Sequence, residues 1–211
     1  MAFALRRIVV AIDQPYQGRV VLADGSVTEA REDQFADPMA MIHYYGADVS
    51  VVLGKVLRDP ELRPLIDTTH IAIAGHSNGA LAALAAERDD PRVTDVVALN
   101  AWDGVFERVF APRRPLLVQR APGDAAPTDH FLASNPSVVD PELSNSRHES
   151  VMDEGWLSAT EEREIGAAAE TVRLIARLVH AYLTDERPAQ RFERLQELAG
   201  EHLSLRRRQG Y

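Results

Sequence analysis

The chain has 211 residues, of which 45% are hydrophobic and 26% are charged, with a formal net charge of −9 and no cysteine. This length and hydrophobic content suit one globular domain over residues 1–211, whereas the acidic balance disfavours nucleic acid and anionic membranes as partners. Without cysteine there are no disulfides or thiolate metal sites, and no signal peptide or membrane-spanning apolar run is recognisable, so we expect a cytoplasmic protein.

The first elements follow from apolar runs and turn signals. Residues 8–12 form a continuous apolar run, which predicts a strand buried on both faces. Asp24-Gly25 lies between residues 19–22 and 26–28 and predicts a hairpin, because Asp-Gly suits a turn that needs positive φ. Residues 39–57 carry valine and leucine at helical spacing and predict a helix.

The rest of the chain alternates between strands and helices. In chain order we predict a strand over residues 71–74, a helix over 80–88, strands over 93–99 and 115–119, a loop over 122–146 with a weak strand at 137–139, a helix over 160–184, and a last helix from Pro188 with Phe192, Leu195, Leu198 and Leu203 on one face. This order implies an α/β fold with a mostly parallel sheet and helices on both faces. The active site is then expected at the carboxyl ends of the strands.

The segment from Gly75 to Gly79 bears most directly on function. It reads Gly-His-Ser-Asn-Gly and lies between a predicted strand and an alanine-rich predicted helix, which is the context of a nucleophile elbow. In such an elbow the serine, here Ser77, has strained backbone and an exposed hydroxyl. Gly75 and Gly79 are expected to remove side chains that would clash in the tight turn. His76 is expected to point away from the function of the serine.

Several segments resemble α/β-hydrolases of the platelet-activating-factor acetylhydrolase type. The similar segments are residues 11–16 with the Asp24-Gly25 hairpin, 48–53, 66–79, 90–93 and 97–102. The resemblance implies an α/β-hydrolase-like fold and one oxyanion donor from the N–H of Asn78, the residue after the nucleophile. That family has a strand and a His-Gly loop, with the second oxyanion donor, upstream of the strand matched by residues 8–12. No segment here matches them, so the chain resembles an N-terminally short member whose first strands are missing.

The resemblance leaves the acid of the triad open. The acetylhydrolase type carries its acid at the position of Asn100, and an amide cannot supply a negative charge. Many other α/β-hydrolases carry the acid after the next strand, where Asp124 stands. Asp103 is a further option, and a chain without a working acid is another. In serine proteases, changing the acid to its amide lowers kcat by about 10⁴.

Two of the seven histidines, His130 and His148, remain as candidates for the catalytic base. The order serine, acid, histidine along the chain fits either of them. His148 lies just before the C-terminal helices and matches the catalytic histidine of the family by position. The preferred triad is therefore Ser77, Asp124 and His148.

This triad predicts a carboxylic-ester hydrolase of the esterase or lipase type, which acts on a small-molecule ester through an acyl-enzyme. The mechanism requires neither a metal nor an organic cofactor. Two alternatives stay open on the same fold: a catalytically impaired pseudo-hydrolase, and a non-hydrolytic enzyme such as a cyclase in a small-molecule pathway. Without upstream strands, residues 8–12 would lie near a sheet edge, which predicts burial against a second copy in a homodimer.

Overall fold

The computed structural model describes residues 7–14, 18–29, 37–100, 114, 116–128, 130, 132, 135, 137–152, 162–184, 188–198 and 203–206. The strands are β1 (Val20–Val21), β2 (Val27–Thr28), β3 (Ala72–His76), β4 (Asp95–Leu99), β5 (Leu116–Gln119), β6 (Val138–Leu143) and β7 (Leu203–Arg206). The helices are α1 (Pro38–Val56), α2 (Asn78–Asp89), α3 (Glu162–Thr184) and α4 (Pro188–Leu198), with 3₁₀ turns at Arg63–Leu65 and His148–Val151.

Five strands form the main sheet, in the order β3-β4-β5-β6-β7. The first four are parallel, and β7 runs antiparallel to β6. Alternate residues of the buried strands face opposite sides, as the period of a strand requires. Val96 and Leu116 pack in a cluster with α1 and α2, whereas Val97 and Leu117 pack in a second cluster with α3 and α4. The predicted α/β fold with helices on both faces is confirmed.

The elbow helix α2 is held between the sheet and α1. Its residues from Ala80 to Glu87 are all buried. The contact with α1 is close at Gly46, where a Cβ would lie 2.8 Å from the Cβ of Ala85. Alanine and glycine at this crossing let the two backbones approach and fix the position of the helix that carries the elbow.

The predicted hairpin is confirmed, whereas the predicted strand over residues 8–12 is wrong. β1 and β2 pair antiparallel, and Gly25 takes the positive φ of +82° that the turn needs. Residues 8–14 form no strand, and Val9 is 60% exposed. Within the described residues the run pairs with no strand, and an apolar segment becomes a strand only through such pairing. Arg7 ties the run to the end of α3 by donating to the Leu183 carbonyl at 2.6 Å.

Two predictions near the C-terminus also differ from the structure. The predicted weak strand at 137–139 is the start of the longer β6, which continues through Asp140 and Glu142 because Arg120 pairs with both carboxylates. Leu203 does not extend the apolar face of α4, since it begins β7 and pairs with Leu143. None of the described helices is both long and apolar enough to cross a bilayer.

Candidate active site

Ser77 lies at the carboxyl end of β3, where the chain turns sharply into α2. Its backbone has φ 53° and ψ −124°, a conformation that non-glycine residues rarely adopt. The Ser77 N–H donates to the Leu99 carbonyl at 3.0 Å, and its own carbonyl accepts from Ala80 N–H at 2.9 Å. These bonds to β4 and to the first turn of α2 hold the strained residue in place.

The two glycines of the elbow have different roles. A Cβ at position 75 would lie 2.1 Å from the Gly79 carbonyl oxygen, so Gly75 is required by the close approach of the two backbone segments. A Cβ at position 79 would meet nothing within 4 Å. The expected clash of a side chain at Gly79 is therefore wrong, because the crowding arises where the Gly79 backbone passes over Gly75.

His148 reaches the serine from the start of the 3₁₀ turn. Its Nε2 lies 3.1 Å from the Ser77 Oγ, so the structure brings these two predicted residues together. For the Ser77 hydroxyl to donate to Nε2, the imidazole must carry its proton on Nδ1. His130 is exposed, and among the described histidines His148 is the one within hydrogen-bond distance of Ser77.

Asp124 makes no hydrogen bond to the His148 imidazole. Its Oδ2 accepts from the Ala121 N–H at 2.9 Å, so the carboxylate stabilises its own turn, in which Gly123 has φ +90°. Within the described ranges no carboxylate is hydrogen-bonded to Nδ1 of His148, and Asp103 lies outside those ranges. The described geometry thus contains a Ser-His pair with no acid assigned to it.

Asn100 follows β4 and is buried beside the histidine. Its φ is +49°, which asparagine tolerates better than most residues. Its Nδ2 donates to the Arg147 carbonyl at 3.2 Å and to the His148 carbonyl at 3.0 Å. Since both partners are carbonyl oxygens, the amide nitrogen must face them, and Oδ1 is left without a hydrogen-bond partner among the described residues. At the position where the resemblance to acetylhydrolases predicts an acid, the side chain is a hydrogen-bond donor.

His76 also contacts the backbone of His148. This differs from the expectation that His76 points away from the function of Ser77. Its Nε2–H donates to the His148 carbonyl at 2.7 Å, and the two imidazole rings have centroids 4.9 Å apart. Burial lowers the pKa of His76, and the nearby His148 acts in the same direction, whereas the bond to the carbonyl and the charges of Glu149 and Asp124 oppose the shift. The sequence carries no local signal for this contact because the partner lies 72 residues away.

The sequence predicts an oxyanion donor at the start of α2. Asn78 is the first residue of this helix, so its backbone N–H has no acceptor within the helix itself. The partial positive charge at a helix N-terminus favours an anion at this point. The position of Asn78, directly after Ser77, suits the donor that the sequence predicts.

No protein-family model matches the chain, and no curated protein matches it. Among solved structures, the chain is similar to a ferulic acid esterase from Streptomyces cinnamoneus, with a TM-score of 0.57 and 20% sequence identity. The match covers 78% of this chain and 56% of the esterase, so the chain spans little more than half of its neighbour's length. The likeness shows an α/β-hydrolase-like fold, which confirms the fold predicted from the sequence. It does not extend to the specificity of the platelet-activating-factor acetylhydrolase type.

Proposed function

We propose that the chain is a serine hydrolase that cleaves carboxylic esters, with Ser77 as nucleophile and His148 as general base. The observation that carries this proposal is the 3.1 Å contact between Nε2 of His148 and Oγ of Ser77. A nucleophile and its base must lie within hydrogen-bond reach, and Ser77 also has the strained elbow backbone that exposes its hydroxyl. The esterase that shares the fold supports this reaction class.

The chemistry follows from these positions. As the Ser77 oxygen attacks the ester carbonyl, its proton passes to Nε2 of His148, and the Asn78 N–H stabilises the oxyanion. The C–O bond to the alcohol then breaks, and His148 returns the proton to the leaving oxygen. Water hydrolyses the acyl-enzyme by the same proton transfers. We propose a small-molecule ester as substrate and a single cytoplasmic domain that uses no cofactor.

A second candidate is a hydrolase with impaired turnover. It is favoured by Asn100 at the family's acid position and by a His148 Nδ1 to which no described carboxylate is hydrogen-bonded. In serine proteases the loss of the acid lowers kcat by about 10⁴, and the loss of one oxyanion donor lowers it by roughly 10²–10³. Such a protein would react with an activated probe and release product very slowly.

Labelling with a fluorophosphonate probe and hydrolysis of p-nitrophenyl acetate separate these candidates. We expect the probe to modify Ser77, and Ser77→Ala to abolish labelling, while the matched control Ser26→Ala, in the exposed hairpin turn, labels like the wild type. Labelling together with steady ester turnover indicates an esterase, and labelling without turnover indicates the impaired form. A wild-type protein that does not label at Ser77 would contradict both.

The acid is tested by Asp124→Asn. The asparagine keeps an oxygen for the Ala121 N–H, and the native carboxylate makes no bond to His148 in the described geometry, so we expect turnover close to that of the wild type. Circular dichroism of the Asp124→Asn variant checks that any loss of turnover is not caused by a loss of folded structure. A loss approaching about 10⁴ would instead show that Asp124 moves to Nδ1 during the reaction and completes the triad.

A further inference from the structure

Two side chains at the carboxyl edge of the sheet hold one backbone atom of the base. His76 ends β3 and Asn100 follows β4, the adjacent parallel strand, so both stand at the same edge beside the serine. Their Nε2–H and Nδ2–H groups donate to the carbonyl oxygen of His148, at 2.7 Å and 3.0 Å. We propose that this pair, the carbonyl clamp, consists of positioning residues that fix the His148 imidazole on Ser77; the inference rests on the proposed function.

The clamp anchors both peptide groups that flank the base. The His148 carbonyl belongs to the peptide that follows its Cα, and the Arg147 carbonyl, which also accepts from Asn100, belongs to the peptide that precedes it. Fixing both peptide planes fixes φ and ψ of His148, and hence the direction of its Cα–Cβ bond. The His76 ring, 4.9 Å from the His148 ring, restricts the remaining side-chain rotation.

Such an arrangement orients the base, which is one of the two roles that an acid ordinarily has in a triad. In the Ser-His-Asp triad the carboxylate orients the imidazole through Nδ1, and no described carboxylate makes that bond here. The clamp orients the residue from its backbone side, without adding a negative charge. It therefore accounts for the position of His148 and adds no stabilisation of its cation.

The chemistry of both clamp residues suits the donor role. His76 must hold a proton on Nε2, because its partner is a carbonyl oxygen. Burial lowers the pKa of His76 and so favours its neutral form, and the carbonyl selects the Nε2–H tautomer. Asn100 is the donor that an aspartate could not be, since a carboxylate oxygen in the place of Nδ2 would face two carbonyl oxygens.

Asn100→Asp therefore separates the clamp from a simple lost acid, because the two ideas predict opposite signs. The side chains have nearly the same shape, and both residues tolerate the positive φ at this position. If Asn100 is a lost acid, aspartate restores charge to the triad and the rate rises. If Asn100 is a clamp donor, aspartate repels the Arg147 and His148 carbonyls and the rate falls.

The experiment measures the rate constant of Ser77 labelling by a fluorophosphonate, with kcat and KM for p-nitrophenyl acetate, at pH 7. His76→Gln places an amide N–H near the position of Nε2 and is expected to label almost as fast as the wild type. His76→Leu removes the donor and keeps the bulk. It is expected to lower kcat and the labelling rate by up to about 10²-fold, the cost of a 1 Å misplacement, with KM unchanged. Asn100→Asp is expected to fall likewise, and His130→Gln serves as the exposed control.

Three results would overturn the clamp: a His76→Leu variant as fast as the wild type, an equal loss in the Gln and Leu variants, or an Asn100→Asp variant faster than the wild type. If the wild type does not label at all, the proposed function fails, and the clamp is judged by imidazole ¹⁵N NMR of the same protein. A neutral His76 ring with its proton on Nε2 supports the clamp. A ring protonated on Nδ1, or averaging between tautomers, refutes it irrespective of activity.

Discussion

At the scale of single residues, the elbow concentrates backbone strain at Ser77 and backbone crowding at Gly75. A non-glycine residue in such a sparsely populated conformation costs about 1–3 kcal/mol. Here the cost is offset by the bonds that Ser77 makes to Leu99 and Ala80 and by the burial of α2 against the sheet. These hydrogen bonds hold the strained backbone of Ser77 in the conformation in which its hydroxyl lies beside His148.

The two elbow glycines therefore respond differently to alanine. Gly75→Ala places a methyl group 2.1 Å from a backbone oxygen that cannot move without shifting α2, so we expect a loss of about 3 kcal/mol or more in the free energy of unfolding. Gly79→Ala is the matched control, because its methyl group meets open space and a helical alanine gains up to about 1 kcal/mol over glycine. Urea unfolding of both variants measures the difference. Equal destabilisation would contradict the assigned contact.

At the scale of elements, strand, elbow and helix are positioned by the crossing of α1 and α2. A Cβ on Gly46 would lie 2.8 Å from the Ala85 Cβ and 3.1 Å from the Ala86 N atom. Because Asn78 begins α2, any displacement of this helix also moves the Asn78 N–H, which is the proposed oxyanion donor. The crossing near Gly46 and the candidate site are therefore connected through α2.

Gly46→Ala tests this connection. We expect it to destabilise the fold by about 1–3 kcal/mol, as overpacking does, and to lower the labelling rate of Ser77 as α2 shifts. Gly54→Ala, later in the same helix, is the control, since its methyl group meets the flexible end of Arg58 at 3.3 Å. Thermal unfolding and probe labelling are measured on both. A Gly46→Ala variant as stable as Gly54→Ala would show that the α1–α2 crossing accommodates a methyl group at position 46.

Elements with a local signal were predictable, and elements defined by a distant partner were not. The apolar period predicts α1, and the glycine-flanked motif predicts the elbow. β6 contains Asp140, Pro141 and Glu142, which break a strand pattern, and Arg120 stabilises it from the neighbouring strand. β7 is a strand because it pairs with β6. Conversely, residues 8–12 have the composition of a strand and no described partner beside β3.

The candidate site divides in the same way. Ser77 is predicted by its motif, and His148 by its place in a late loop just before the C-terminal helices. The roles of His76 and Asn100 depend on how that loop returns to the sheet, 72 and 48 residues further along the chain. At Asn100 the sequence indicates a missing acid, whereas the structure shows a donor in use. A side chain that contacts a distant backbone carbonyl leaves no periodic or compositional signal.

At the scale of the whole molecule, the two sides of the described sheet differ in how well they are packed. Buried ion pairs stabilise the sheet from β4 to β6: Arg120 pairs with Asp140 of β6, and Arg191 of α4 pairs with Asp95 of β4. The β3 side differs, because an apolar cleft of about 1900 Å³ lies there between residues 7–14, α1 and α3. Breaking either buried pair by removing one partner would cost about 3–5 kcal/mol, so both pairs stabilise the sheet between β4 and β6.

The cleft beside β3 leads to a prediction about the oligomeric state. β3 is an edge strand within the described residues, and Ile8, Val9 and Val10 are exposed beside the cleft. Unpaired strand edges with apolar neighbours favour association, and closed two-fold pairs are the commonest oligomers. We therefore expect a homodimer that buries this side, with a standard interface of about 800 Å² per partner.

Light scattering at micromolar concentration tests the dimer. Val9→Lys places a charge in the apolar run, and we expect it to shift the mass toward that of a monomer because burying an unpaired lysine is unfavourable. Val27→Lys is the matched control, since Val27 is an exposed strand valine outside the cleft lining, so its mass should equal that of the wild type. Labelling of Ser77 should persist in both variants, because neither residue lies at the Ser77–His148 contact. A wild-type protein that is a well-folded monomer would show that the exposed β3 side needs no second copy.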